Sequence, residues 1–162
     1  VGKSAYRIIC IYKPPACSLQ YFADMCACIT YLSSINTPVF MCGDFNYPTI
    51  NWRLAPPDLA SSEGIFFDCI AQNGLTQCIT EPTSVHNNHI LDLLFVSNPL
   101  NLFDCYVHEP FDDSDHYSIH FSLWGVNKQN NLHRPNGNFQ HVRYNFSKAN
   151  YVMLDRYFKS VN

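Results

Sequence analysis

The 162-residue chain is 47% hydrophobic and 15% aromatic, enough to bury a core, so one globular domain with a tail is expected and a wholly disordered chain is not. Its formal net charge of -3 provides no basic footprint for non-specific nucleic-acid binding, yet leaves room for a metal site facing phosphate. No apolar run approaches membrane-spanning length, and no N-terminal segment reads as a signal peptide.

"YRIICIY", Tyr6 to Tyr12, is β-branched and aromatic and stops at Pro14-Pro15, which predicts a strand running into a loop. From Ser18, apolar residues at Leu19, Phe22, Cys26 and Ile29 predict an amphipathic helix. "PVFMCG" reads as a short buried strand closed by Gly43. After the proline-rich "NWRLAPPDL", Ser61 or Ser62 caps a second helix carrying Phe66, Phe67, Cys69 and Ile70, and Asn73-Gly74 stops it. Further strands are expected at "LTQCI", "ILDLLFV", near Phe103 to Val107, and at "YSIHFSLW", with an acidic loop before the last. From Gly125 the chain turns Asn-rich and apolar-poor, which places a boundary there. Residues 1–124 would form the domain and 125–162 a polar linker with a short helix in "YNFSKANYVMLDRYFKSV", too short to be a domain alone. The eight cysteines lie mostly inside apolar runs with no C-x-x-C pair, the pattern of buried reduced thiols, so a reducing, intracellular compartment is expected.

Four segments finish a predicted strand with polar groups: Tyr12 after "RIICI", Asp44 and Asn46 in "GDFNYP", Asp92 in "ILDLLF", and Asp115-His116 in "DDSDHYSI". In a strand-and-helix sandwich, polar groups collected at one end of several strands converge on one cleft. The residue types suit hydrolysis of a phosphate ester. Carboxylates hold a hard cation that binds phosphate, and a carboxylate-held histidine acts on water or steadies a pentavalent phosphate. An amide and a phenol donate to phosphoryl oxygens without adding charge. Each residue also has a plainer reading: Asp44-x-Asn46 as a turn pair, Asp92 as a satisfied buried acid, Asp115 and His116 as part of an acidic loop, Tyr12 as core. His86 and His89 read as exposed loop histidines, because no further ligand lies nearby. No Walker loop, G-x-S-x-G, G-x-G-x-x-G or H-E-x-x-H is present.

In order, "IYKPP", "GDFNYP", "EPTS", "LDLLF" and "SDHYSI" resemble the endonuclease/exonuclease/phosphatase superfamily, and within it the endonuclease domain that non-LTR (LINE-like) retrotransposons carry ahead of their reverse transcriptase. The resemblance covers about residues 6 to 124. It implies an α+β fold, a two-sheet β-sandwich flanked by helices, and a DNA endonuclease using Mg²⁺ or Mn²⁺ to hydrolyse a phosphodiester. By motif, Asp44 would orient or deprotonate the water and Asn46 would bind the scissile phosphate. Tyr12 would contact phosphate or leaving group, Asp92 would orient the histidine or assist at the metal, Asp115 would be a metal-side or histidine-orienting carboxylate, and His116 the catalytic histidine. Thr83 in "EPTS" matches a position lining the DNA site. The partners implied are DNA and a covalent continuation into a reverse transcriptase, with no membrane and a nuclear location.

The sequence departs from the family upstream of Tyr12. Family members carry there an asparagine strand and a strand with the glutamate that is the chief metal ligand, whereas the glutamates here are Glu63, Glu81 and Glu109, all after "GDFN". The chain therefore reads as the C-terminal half of such a domain, missing its N-terminal strands. The competing expectation is a catalytically inactive remnant or binding module. A phosphatase acting on inositol phosphates or sphingolipids is a third reading within the superfamily.

Overall fold

The computed structural model describes residues 5–52 and 57–123, together with Val152, Met153 and Arg156. The chain divides into two compact units, Val1–Val126 and Asn127–Asn162. In the second, Val152, Met153 and Arg156 are helical. The rest of the expected linker and terminal helix lies outside the described residues.

The first unit is mixed α/β. Its strands are β1 (Arg7–Tyr12), β2 (Val39–Asp44), β3 (Thr76–Gln77), β4 (Asp92–Val96), β5 (Leu102–Pro110) and β6 (Tyr117–Leu123); its helices are α1 (Leu19–Ser34) and α2 (Ser62–Gln72). One sheet has the order β1-β2-β4-β3, with β1 parallel to β2 and the other pairs antiparallel. The second sheet is the antiparallel pair β5-β6.

Both helices start where a serine oxygen takes an otherwise orphaned N–H: Ser18 Oγ accepts from Tyr21 N, and Ser61 Oγ from Gly64 N. Past α2, Asn73 and Gly74 end the helix, and Gly74 takes the left-handed φ of +63°. The buried face of α1 is Phe22, Met25 and Ile29. Leu19, expected on that face, is the first helical residue and stands 86% exposed; Met25 takes the intervening place.

The central strands are buried on both faces, which is why "VFM" and "LLFV" read as unbroken apolar runs. On one side Val39, Met41, Leu93 and Phe95 pack against the helices through Phe22, Ile29, Phe66 and Ile70. On the other, Phe40, Leu94 and Val96 meet Cys105, Val107, Ile119 and Phe121 of the hairpin. The order of layers is helices, four-stranded sheet, two-stranded sheet, as expected for the two-sheet sandwich.

Two local readings change. The strand expected over "LTQCI" shortens to Thr76–Gln77, because the Gln77 carboxamide takes the Ile79 N–H and donates to the Ile79 carbonyl, diverting that backbone from the ladder. The cysteines are all free, but only Cys69 is buried, and Cys10 and Cys28 are exposed. Cys10 lies on the edge strand β1, and Cys28 on the outer side of α1.

Candidate active site

Tyr12, Asp44 and Asp92 fall on one rung of the sheet: Tyr12 pairs with Asp44 and Asp44 with Asp92. Alternation along β2 and β4 sends Phe40, Cys42 and Asp44, and likewise Leu94, Val96 and Asp92, toward the hairpin sheet. The two acids therefore stand at the end of the layer between the sheets. Gly43 permits this arrangement. It sits at φ +145°, and a Cβ there would lie 1.8 Å from the Ile11 carbonyl oxygen, so only glycine lets β1 pass this close.

Asp44 is aimed by Asn46. The Asn46 backbone N–H donates to Asp44 Oδ1 at 3.0 Å, and its Nδ2 donates to Asp44 Oδ2 at 2.8 Å and to the Lys13 carbonyl at 2.8 Å. Asn46 holds the left-handed φ of +48°, which asparagine tolerates better than most residues. Burial raises the Asp44 carboxyl above its ordinary pKa; the Asn46 backbone bond pulls against this, and neighbouring Asp92 pushes the same way as burial. Both Nδ2 hydrogens of Asn46 are engaged, so it takes a phosphoryl oxygen only by giving up one of these bonds.

His116 approaches from the other sheet, one residue before β6, and its Nδ1 lies 2.7 Å from Asp92 Oδ2. An ionised carboxylate only accepts, so Nδ1 carries the hydrogen and Nε2 is left for chemistry. The imidazole pKa is raised, first by the Asp92 hydrogen bond and further by the charges of Asp92, Asp44 and Asp115, against opposing desolvation.

Thr83 assembles this pair. It is fully buried, its Oγ1 accepts from the N–H groups of both Leu91 and Asp92 at 2.9 Å, and its carbonyl accepts from Tyr117 N at 2.9 Å. One residue thus ties the start of β4 to the start of β6, with Ser84 bridging to His116. Thr83, expected to line the DNA site, has no surface to offer DNA and positions Asp92 and His116 from behind. Asp115 is exposed and its carbonyl accepts from Val85 N; Tyr12 is 63% exposed at the open edge of the sheet.

Sequence reasoning passed over Lys13. It is only 4% exposed, its Nζ bonds the carbonyls of Pro14 and Asn46 and lies 4.3 Å from the Tyr47 ring centroid, and its N–H donates to the Asp44 carbonyl. It fastens the loop after β1 to the loop after β2. Its position between Tyr12 and Pro14-Pro15 was the available signal, but lysine is read by default as solvated.

A metal fits this site in part. Asp44 and Asp92 on one rung repel each other across the ladder, and their oxygens suit a hard cation. Among the described residues no three His, Cys, Asp or Glu side chains gather as a cage, so the ligand set is incomplete. Clefts of about 400 and 430 Å³ share Pro82 and Asn88 in their walls, and neither is lined by Asp44, Asp92 or His116. Asp44, Asp92 and His116 are partly buried, the Asp92 and His116 side chains being 19% and 32% exposed.

A helix-backed sheet faced by a second sheet, with its acids and histidine at the mouth between them, is the endonuclease/exonuclease/phosphatase architecture. The chain belongs to the Endonuclease-reverse transcriptase family, which matches residues 6–120. Its fold is similar to that of the endonuclease domain of TRAS1, a telomere-specific non-LTR retrotransposon, at a TM-score of 0.55 and 18% identity over 69% of this chain and 52% of that one. It is also similar to the 3' phosphatase NExo from Neisseria bound to product DNA hairpin, at 0.51 and 17% over 64% of this chain and 52% of that one. The chain thus spans about half the length of each. No curated protein matches the sequence. Among the described residues no helix is long and apolar enough to cross a membrane.

Proposed function

We propose that this chain carries the hydrolytic half of a metal-dependent DNA endonuclease of retrotransposon type, which breaks a phosphodiester by in-line attack of water. The observation that carries the reading is the meeting of Asp44, aimed by Asn46, with the Asp92-His116 pair at one end of the two sheets. Asp44 takes the proton of the attacking water, and its raised pKa makes it a better base than an ordinary carboxylate. His116, held through Nδ1, presents Nε2 to the phosphoryl oxygens and, when protonated, stabilises their developing charge. Exposed Tyr12 contacts phosphate or leaving group.

Mg²⁺ or Mn²⁺ is the expected cofactor, Asp115 the expected metal-side carboxylate, and a bound ion would offset phosphate charge at this acidic rung. The polar stretch from residue 125 leads toward a reverse transcriptase, which the family's name supports.

That no three such side chains gather among the described residues favours a second reading, a binding module that keeps the outline of the site without turnover. Supercoiled plasmid incubated with the purified chain and Mg²⁺, Mn²⁺ or EDTA separates the two. Nicking that needs the metal supports the nuclease; DNA retention by a folded chain without nicking supports the binding module.

A further inference from the structure

We propose that Cys10 and Cys42 form a redox-modification site, a dithiol that hydrogen peroxide closes to a disulfide, fastening β1 to β2 two residues short of Tyr12 and Asp44. The two are direct register partners on adjacent strands, and their sulfurs lie 3.8 Å apart. Neighbouring strands are about 4.7–4.9 Å apart, inside the Cα separation of about 4.4–6.8 Å that a disulfide spans, so side-chain rotation closes the bond without moving the sheet. Among the described residues Cys10 is exposed on the outermost strand of its sheet, while Cys42 is half-buried behind it. The exposed sulfur meets the oxidant and the sheltered one resolves it. The inference stands on sheet register and does not depend on the catalytic reading.

The chemistry balances with peroxide as the oxidant. The Cys10 thiolate attacks one peroxide oxygen, the O–O bond breaks, and hydroxide leaves, giving a sulfenic acid. Cys42 sulfur then attacks Cys10 Sγ; the S–S bond forms, the S–O bond breaks, and the departing hydroxide takes the Cys42 proton to leave as water. Two thiols and one peroxide yield one disulfide and two waters, with two electrons passing from sulfur to oxygen. A bond with one sulfur at the exposed face of β1 is of the easily reduced kind, so a dithiol reductant restores the pair.

The test treats the purified full chain with stoichiometric hydrogen peroxide, titrates thiols, and maps linkages by mass spectrometry without reduction. Two of the eight thiols are expected to disappear as a Cys10–Cys42 link, amide exchange in β1 to slow several-fold, and dithiothreitol to reverse both. In Cys10→Ser, Cys42 should stay titratable. A link from Cys10 to another cysteine, Cys10 advancing to sulfinic acid with Cys42 free, or eight intact thiols under peroxide that oxidises free cysteine would each overturn the proposal.

Discussion

His116 Nδ1 lies 2.7 Å from Asp92 Oδ2, a hydrogen bond that joins the hairpin sheet to the end of a central strand of the other sheet. It sets the tautomer of His116, raises its pKa, and leaves Nε2 as the ring nitrogen not engaged by Asp92. Replacing Asp92 by Asn keeps the shape and removes the charge. The His116 titration midpoint, followed by NMR, should then move down, and the other histidines should not follow.

The same bond has a pH signature in stability. A histidine whose pKa is raised on folding contributes stability that is fully present below its unfolded value, about 6.5, and is lost as pH rises through the raised folded value. The stability gap between the native chain and Asp92→Asn should therefore be larger near about pH 6 than near about pH 9. Denaturant melts at both values check it, and an equal gap would show that the bond carries no charge assistance.

Thr83→Val preserves shape and removes the oxygen that accepts from Leu91 and Asp92. Two buried N–H groups then lose their partner, which costs roughly 2 kcal/mol and lowers Tm by on the order of 10 °C for a domain of this size. Thr83→Ser, which keeps the oxygen, should lose far less. The Tyr117 bond runs to the Thr83 backbone carbonyl, which the Val variant keeps, so faster amide exchange should appear at Leu91 and Asp92 and far less at Tyr117.

Gly43→Ala would place a methyl group 1.8 Å from the Ile11 carbonyl oxygen at φ +145°. The cost should reach about 3 kcal/mol or more, near the top of the range for single substitutions. Thermal unfolding checks it; Gly74→Ala, where a Cβ meets nothing within 4 Å, carries only the strain of φ +63° and should cost less.

If hydrolysis needs Asp44 ionised and His116 protonated, its rate should be bell-shaped in pH. Asp44 is raised and His116 is raised, so both limbs should shift upward from ordinary carboxylate and imidazole values. The rate falls on the acid side as Asp44 takes up a proton and on the alkaline side as His116 gives one up. Asp92→Asn should draw the alkaline limb downward.

Most of the fold was legible because its elements announce themselves locally: Ser18 and Ser61 cap their helices, and "VFM" and "LLFV" are apolar enough to be buried on both faces. Tyr12 and Asp44 were legible as polar residues ending strands, whereas Asp92, expected to finish one, opens β4 and reaches the same rung because β4 runs antiparallel to β2. Lys13, and the positioning role of Thr83, were hidden for a physical reason. Their roles come from where backbone carbonyls and N–H groups of distant loops meet them, and no spacing in sequence encodes that. The short β3 likewise follows from one Gln77 side chain capturing Ile79. Leu19 was misplaced because periodicity gives a face and not where the covering sheet ends.

The most direct test compares the rate of metal-dependent nicking of supercoiled DNA by the native chain with that of Asp44→Ala and His116→Ala, each shown to be folded. The account predicts nicking by the native chain and a fall of at least about 100-fold in each variant. Equal rates in all three, or a folded native chain that leaves the plasmid intact at saturating Mg²⁺ and Mn²⁺, would contradict it.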